Sequence, residues 1–166
     1  MISLASDQII FRLVLSAILA GVIGLEREYR HRPAGLRTNI LVGLGSTLIM
    51  LTSIYFANLD NGDASRLASG VLTGIGFLCA GVIIRHHEDN GGKEEEQVFG
   101  ITTAATIWVI AAIGLSVGLG FYFAAILTTL LVLAVLYGLN SGIIRRYLVN
   151  DNFKDTSRDN SSEEKS

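Results

Sequence analysis

The sequence predicts an all-α integral membrane bundle of five transmembrane helices, N-terminus outside and C-terminus in the cytoplasm. Three observations carry this. Half of the 166 residues are hydrophobic and the mean hydropathy is +0.48, on the greasy side of globular proteins. Apart from Arg37, the stretches Leu36–Ala57, Leu67–Ile84 and Ile101–Leu139 contain no Asp, Glu, Lys, Arg or His, and a bilayer needs about 20 such residues per helix. With five spans, eleven of the 13 Lys and Arg residues fall on one side, which assigns that side to the cytoplasm; four spans would divide them almost evenly.

The first span, 9–25, lacks a basic leader region and a convincing small-residue cleavage site, so it reads as a retained span. Arg12, one turn inside it, is expected to snorkel outwards. Next comes "EREYRHRPAGLRTN", Glu26 to Asn39, with four arginines, two glutamates and the only proline. Glu26 with Arg30 and Glu28 with Arg32 have the i, i+4 order of a helix that continues beyond the membrane, to be ended by Pro33 and Gly35. Arg37, Thr38 and Asn39 mark the start of the second span, 36–57, and suit neighbouring helix ends or lipid phosphate. Topology anchoring accounts for the arginines but not for the glutamates, which contribute little to orientation. The surplus points to a structured polar cluster of Glu26, Arg27, Glu28, Gly35, Arg37, Thr38 and Asn39, closed by Thr102 and Thr103 at the start of the fourth span.

The short external loop holds Asp60, Asp63 and Arg66. Its "DNGD" is too short to supply the later ligands of a calcium loop and reads as a solvated turn. In the third span, 67–84, Gly70, Gly74, Phe77 and Gly81 share one helical stripe, and "GVLTG" is a GxxxG. Such glycines let helices approach closely in lipid, so Gly70, Gly74, Gly76 and Gly81 are expected to pack helices, the alternative being a stripe that lines a substrate path; separately, a homo-oligomer is among the expected assemblies. The loop "RHHEDNGGKEEEQVF" follows. Its His86–Asp89 could collect a metal, but adjacent residues of a Gly-rich loop point in different directions, so a solvated loop is the favoured reading, which leaves a pH-sensitive role open.

The last apolar run is long enough for two helices, 101–115 and 121–139, with the break expected at "SVGLG", Ser116 to Gly120. Trp108 and Tyr122 read as packing or interfacial aromatics. From Asn150 the polar tail, 150–166, has no apolar period and is expected to be disordered in the cytoplasm. The formal charge of −2 argues against nucleic acid as a partner. The single cysteine, Cys79, forms no intrachain disulfide and reads as a small packing residue. No triad, metal-ligand spacing or cofactor motif is present, so neither an enzyme nor a cofactor is expected.

Five blocks in succession, "GLERE" (Gly24–Glu28), "AGLRTNILVG" (Ala34–Gly43), "DASR" (Asp63–Arg66), "GIGFLCAGVI" (Gly74–Ile83) and "GITTAATIWVIAAIGL" (Gly100–Leu115), resemble the signatures of the MgtC/SapB family of bacterial inner-membrane proteins. The resemblance covers Ala20 to about Tyr122. It implies a multi-pass protein of the bacterial inner membrane tied to growth under magnesium limitation, in a family often labelled magnesium transporters. The competing picture for that family is modulation of other membrane proteins, including the F-type ATP synthase. Here the likeness is to the membrane domain alone, 1–149, without the soluble C-terminal domain of virulence-associated members. Three features depart from the family pattern: Cys79 where glycine is usual, Ala64 where proline is usual after Asp63, and a longer, more acidic loop at 85–99.

Magnesium demands near-octahedral oxygen coordination, and the apolar spans contain no Asp or Glu. Glu26, Asp60 and Asp63 sit at span edges, away from the midplane where intramembrane charges mark ion paths. The expected role is therefore magnesium homeostasis through binding or modulating another membrane protein, in contact with membrane lipid. The alternative is direct transport of magnesium or another divalent cation, gated by Glu26 and the cytoplasmic ends of spans one, two and four.

Overall fold

A computed structural model of the chain describes residues 6–60, 63–90 and 93–138, with residues 60, 84–90 and 93–98 described by backbone alone. Five helices are present among them: α1 (Ser6–Tyr29), α2 (Leu36–Asp60), α3 (Ser65–Val82), α4 (Ile101–Leu119) and α5 (Tyr122–Gly138). The first four are long and apolar enough to cross a membrane, and α5 is apolar over its 17 described residues. This is a multi-pass membrane protein. Phe77, Phe123 and Leu41 are 82%, 81% and 69% exposed, a surface that only lipid can cover favourably. The chain divides into two compact units, Met1–Leu130 and Leu131–Ser166; of the second, the end of α5 is described. The polar tail lies outside the described residues.

In the first unit α1, α2 and α4 pack against one another, and α3 packs on α4 and α2. Glycines set the closest approaches. A Cβ on Gly114 would lie 2.6 Å from the Gly43 carbonyl oxygen, one on Gly118 2.6 Å from Met50 Cβ, and one on Gly24 2.8 Å from Leu36 Cα. At these points the helices meet backbone to backbone or nearly so, which gains dispersion contact in a solvent that supplies no hydrophobic drive between helices. Ile23, Ile110, Ile113 and Val117 fill the space around them and are fully buried. Thr47 adds a hydrogen bond from its hydroxyl to the Gly114 carbonyl, 2.8 Å. The central helix is α4: 61% of its apolar window is inside the fold, against 11% for α3.

Several expected boundaries shift, each for a local reason. The helix α4 runs through Ser116 to Leu119, because Gly118 is a packing glycine against Met50 and only Gly120, at φ 94°, makes the turn. Gly120 N donates to Val117 O (3.0 Å) and Phe121 N to Ser116 O (2.9 Å), a Schellman closure. Arg12 finds its partners at the end of the bundle where α4 stops. Its Nη1 donates to the Gly118 carbonyl (2.6 Å) and its Nε to the Tyr122 hydroxyl (3.0 Å), placing a cation on the negative end of α4. Between α3 and α4 the segment read as a loop forms an antiparallel hairpin, β1 (Ile84–Asn90) and β2 (Lys93–Phe99), with Ile84 opposite Phe99 and Asn90 opposite Lys93.

Candidate functional site

The polar segment that joins α1 to α2 is tightly built. The first helix stops at Tyr29 because His31 turns left-handed, φ 52°, and Arg32 N donates to Arg27 O (2.9 Å) while His31 N donates to Glu28 O (3.0 Å). This is again a Schellman closure, with histidine where glycine is usual. Glu26 pairs with Arg30 at 2.5 Å, as the i, i+4 spacing predicts. The expected Glu28–Arg32 pair does not form, since Arg32 lies past the helix end. Glu28 instead reaches forward, and its Oε2 accepts the Leu36 amide at 2.8 Å, capping the first turn of α2.

Gly35 owes its identity to that cap. A Cβ there would lie 2.9 Å from Glu28 Oε2 and push the carboxylate off the Leu36 amide. Ala34, at φ 56°, carries the chain round after Pro33. Asn39, fully buried, donates from Nδ2 to the carbonyls of Ala34 (2.7 Å) and Gly35 (2.9 Å), so α2 braces the connection from its own first turn.

Arg27 points the other way, towards α4. It is 4% exposed, and its Nη2 donates to Thr103 Oγ1 at 2.5 Å across 76 residues of sequence. Arg27 Nε, Asn39 Oδ1 and Glu26 Oε2 are buried without a hydrogen-bond partner. Of the predicted cluster, Glu26, Arg27, Glu28, Gly35, Asn39 and Thr103 thus lie in one connected end of the bundle. Arg37, Thr38 and Thr102 are exposed beside it. The Thr102 carbonyl accepts the Thr106 hydroxyl, 2.8 Å.

At the opposite end, Asp63 accepts the Ser65 amide at Oδ1 (2.8 Å) and the Ser65 hydroxyl at Oδ2 (2.6 Å), and the Ser53 hydroxyl donates to the Ala64 carbonyl. The Ser65 hydroxyl, then its amide, hold the Asp63 carboxyl below the usual carboxylate range, with Arg66 acting in the same sense against slight desolvation. Asp63 therefore works as a cap for the start of α3, and Arg66 is exposed beside it.

The glycine stripe of α3 is not closed by another helix among the described residues. Nothing lies within 4 Å of a Cβ placed on Gly70, Gly74, Gly76 or Gly81. The opposite face packs, through Val71 and Ile75, and the Cys79 thiol donates to the Ala104 carbonyl of α4 at 3.2 Å. Gly70 and Gly74 instead join Thr38, Gly45 and Phe56 along an apolar groove of about 990 Å³ between α2 and α3. Sequence reasoning missed the Glu28 cap, the Arg12 clasp and Asp63's partner Ser65; only the last had a local signal, an Asp two residues before a Ser at a helix start. Among the described residues no three His, Cys, Asp or Glu gather to hold a metal.

Known proteins match this arrangement along most of its length. The MgtC family matches residues 13–142. The protein named "Putative magnesium transporter YhiD" from Escherichia coli (strain K12) is 43% identical over 148 residues, covering 84% of this chain and 65% of that protein. Protein MgtC from Brucella abortus (strain 2308) is 43% identical over 120 residues, 71% of this chain and 45% of its own. Protein SrpB from Synechococcus elongatus is 40% identical over 133 residues, 77% and 72% respectively. The chain thus spans 45% to 65% of the length of the first two relatives. No solved structure matches it. With the match running from the first helix past the last described one, and with relatives above 40% identity, the chain belongs to the MgtC family.

Proposed function

We propose that this is a bacterial inner-membrane protein of adaptation to low magnesium, which acts without catalysis by binding and modulating another membrane protein through its arginine-rich, cytoplasmic end. The link to magnesium rests on the name borne by the relative YhiD and on family membership. The observation that carries the mechanism is the contrast between the two parts of the bundle. Between α1, α2 and α4 the backbones close on one another at Gly24, Gly43, Gly114 and Gly118, and the hydroxyls of Thr47, Thr106 and Ser116 are engaged with backbone carbonyls. A magnesium path needs carboxylate or water-bearing oxygens along the spans, and this packing favours a rigid scaffold over a conduit. At the arginine-rich end, by contrast, charged groups are held in fixed positions by capping and pairing, which lowers the entropy lost when a partner docks.

Direct divalent-cation transport is the second reading, favoured by the buried, unpartnered Glu26 Oε2 at the end of α1. Purified chain in liposomes loaded with a magnesium-sensitive dye separates the two. The expected result is no flux above empty liposomes, together with specific in-cell crosslinking from exposed positions such as Arg37 to a membrane protein, the F-type ATP synthase being the first to test. Robust, protein-dependent flux refutes the proposal.

A further inference from the structure

Arg27 is a buried cation that, among the described residues, no carboxylate meets in direct contact. It is 4% exposed, its one hydrogen bond goes to the neutral hydroxyl of Thr103, and its Nε has no partner. A guanidinium carries five N–H donors, so most of its capacity is unused. Glu26, next in sequence, gives its Oε1 to Arg30, and among the described residues no carboxylate forms an ion pair with Arg27. Burying a charge without pairing it is strongly unfavourable.

What Arg27 faces makes the imbalance larger. Thr103 is in the first turn of α4, whose N-cap is Gly100, a residue with no side chain to offer as a cap. The first helical bond runs from Ala104 N to Gly100 O, 2.9 Å, so the amides of Ile101, Thr102 and Thr103 have no acceptor within the helix. The positive end of a 19-residue helix and a buried guanidinium therefore meet. Among the described residues Glu26 acts on Arg27 as an opposite charge and Arg32 as a like one, so with Arg27 itself the positive charges outnumber the negative.

We propose that Arg27 and the first turn of α4 form a binding site for a phosphate-class oxyanion. Several acceptor oxygens on one anion can take Arg27 N–H groups and helix-end amides together, the pairing that phosphate makes at other helix N-termini. Ile101 and Thr102 are exposed, so the turn can be approached from outside. The site lies where apolar spans end, so the anion comes either from a phospholipid headgroup or from free phosphate. It goes beyond the docking role above and does not depend on it.

The test uses the full chain in maltoside detergent and phosphate-free buffer, titrated separately with inorganic phosphate and with short-chain phosphatidylglycerol, reading binding and melting temperature. One probe is expected to bind and to raise the melting temperature by about 5–10 °C at a hundredfold excess over its Kd. Response to phosphate identifies the free anion as the source; response to the lipid alone identifies the headgroup. Arg27→Gln should weaken binding at least about tenfold. Without anion it should melt no lower than wild type, because an unpaired buried charge has gone. Thr103→Val keeps the charge but frees the guanidinium, and should weaken binding about threefold to tenfold, which maintains the test if Arg27→Gln does not fold. No binding of either probe, or equal binding by both variants and wild type, overturns the proposal.

Discussion

Replacing Gly114 by alanine probes one of the close helix–helix contacts in the bundle. The new Cβ would lie 2.6 Å from the Gly43 carbonyl oxygen and 2.9 Å from Ser46 Cβ. Relaxed contacts between heavy atoms lie near 3.5 Å, so α2 and α4 must part by roughly 0.6–0.9 Å. Both neighbours are backbone or Cβ atoms, and no rotamer change relieves them. Overpacking of this kind costs about 1–3 kcal/mol. Parting the helices also stretches the Thr47–Gly114 hydrogen bond, worth about 0.5–1.5 kcal/mol. Against this stands up to about 1 kcal/mol from alanine's better helix propensity. The net loss is about 1–3 kcal/mol, or roughly 3–10 °C in melting temperature for a chain of this size. Gly70→Ala and Gly74→Ala meet nothing within 4 Å and should be neutral or gain up to about 1 kcal/mol. Thermal unfolding in one detergent, all three variants side by side, reads the contrast. An unperturbed Gly114→Ala, or a Gly70→Ala as damaging as Gly114→Ala, would refute the assignment of packing and open glycines.

Glu28→Ala removes the acceptor at the start of α2 and should cost about 1 kcal/mol, seen as a lower melting temperature, whereas Glu28→Gln keeps most of the cap. His31→Gly relieves a left-handed residue at the end of α1 and should stabilise by about 1 kcal/mol; a lower melting temperature would contradict the closure described. Asp63 has a folded-state pKa below its unfolded value, so its contribution is present above the unfolded pKa and disappears as pH falls through the folded one. Amide exchange at Arg66–Ser69 should therefore quicken below about pH 4, and Ser65→Ala should move the onset to higher pH.

The spans were legible because a bilayer penalises charge so heavily that its absence over a helix length is nearly sufficient evidence. The Glu26–Arg30 pair was legible for a different reason: it depends only on helical spacing. Glu28 looked equivalent by spacing, yet its partner was set by the path of the connection, where His31 turns left-handed two residues before Pro33 could act. A GxxxG motif states that close approach is permitted, not which face takes it. In α3 the choice fell to Val71 and Ile75, and the glycines were left outside. The meeting of Arg27 with Thr103 was half-legible, since counting charges put both on one side of the membrane while nothing in the sequence measured their separation.

The braced connection between α1 and α2 has a mechanical consequence. Hydrogen bonds from Arg32 back to Arg27, from Leu36 to Glu28 and from Asn39 to Ala34 and Gly35 leave no free pivot in it. The two helices must tilt as a two-legged strut. Gly43 and Met50 of that strut bear directly on Gly114 and Gly118 of α4, and Arg12 of α1 holds the Gly118 carbonyl, so the strut and α4 are tied along their length as well as at the arginine-rich end.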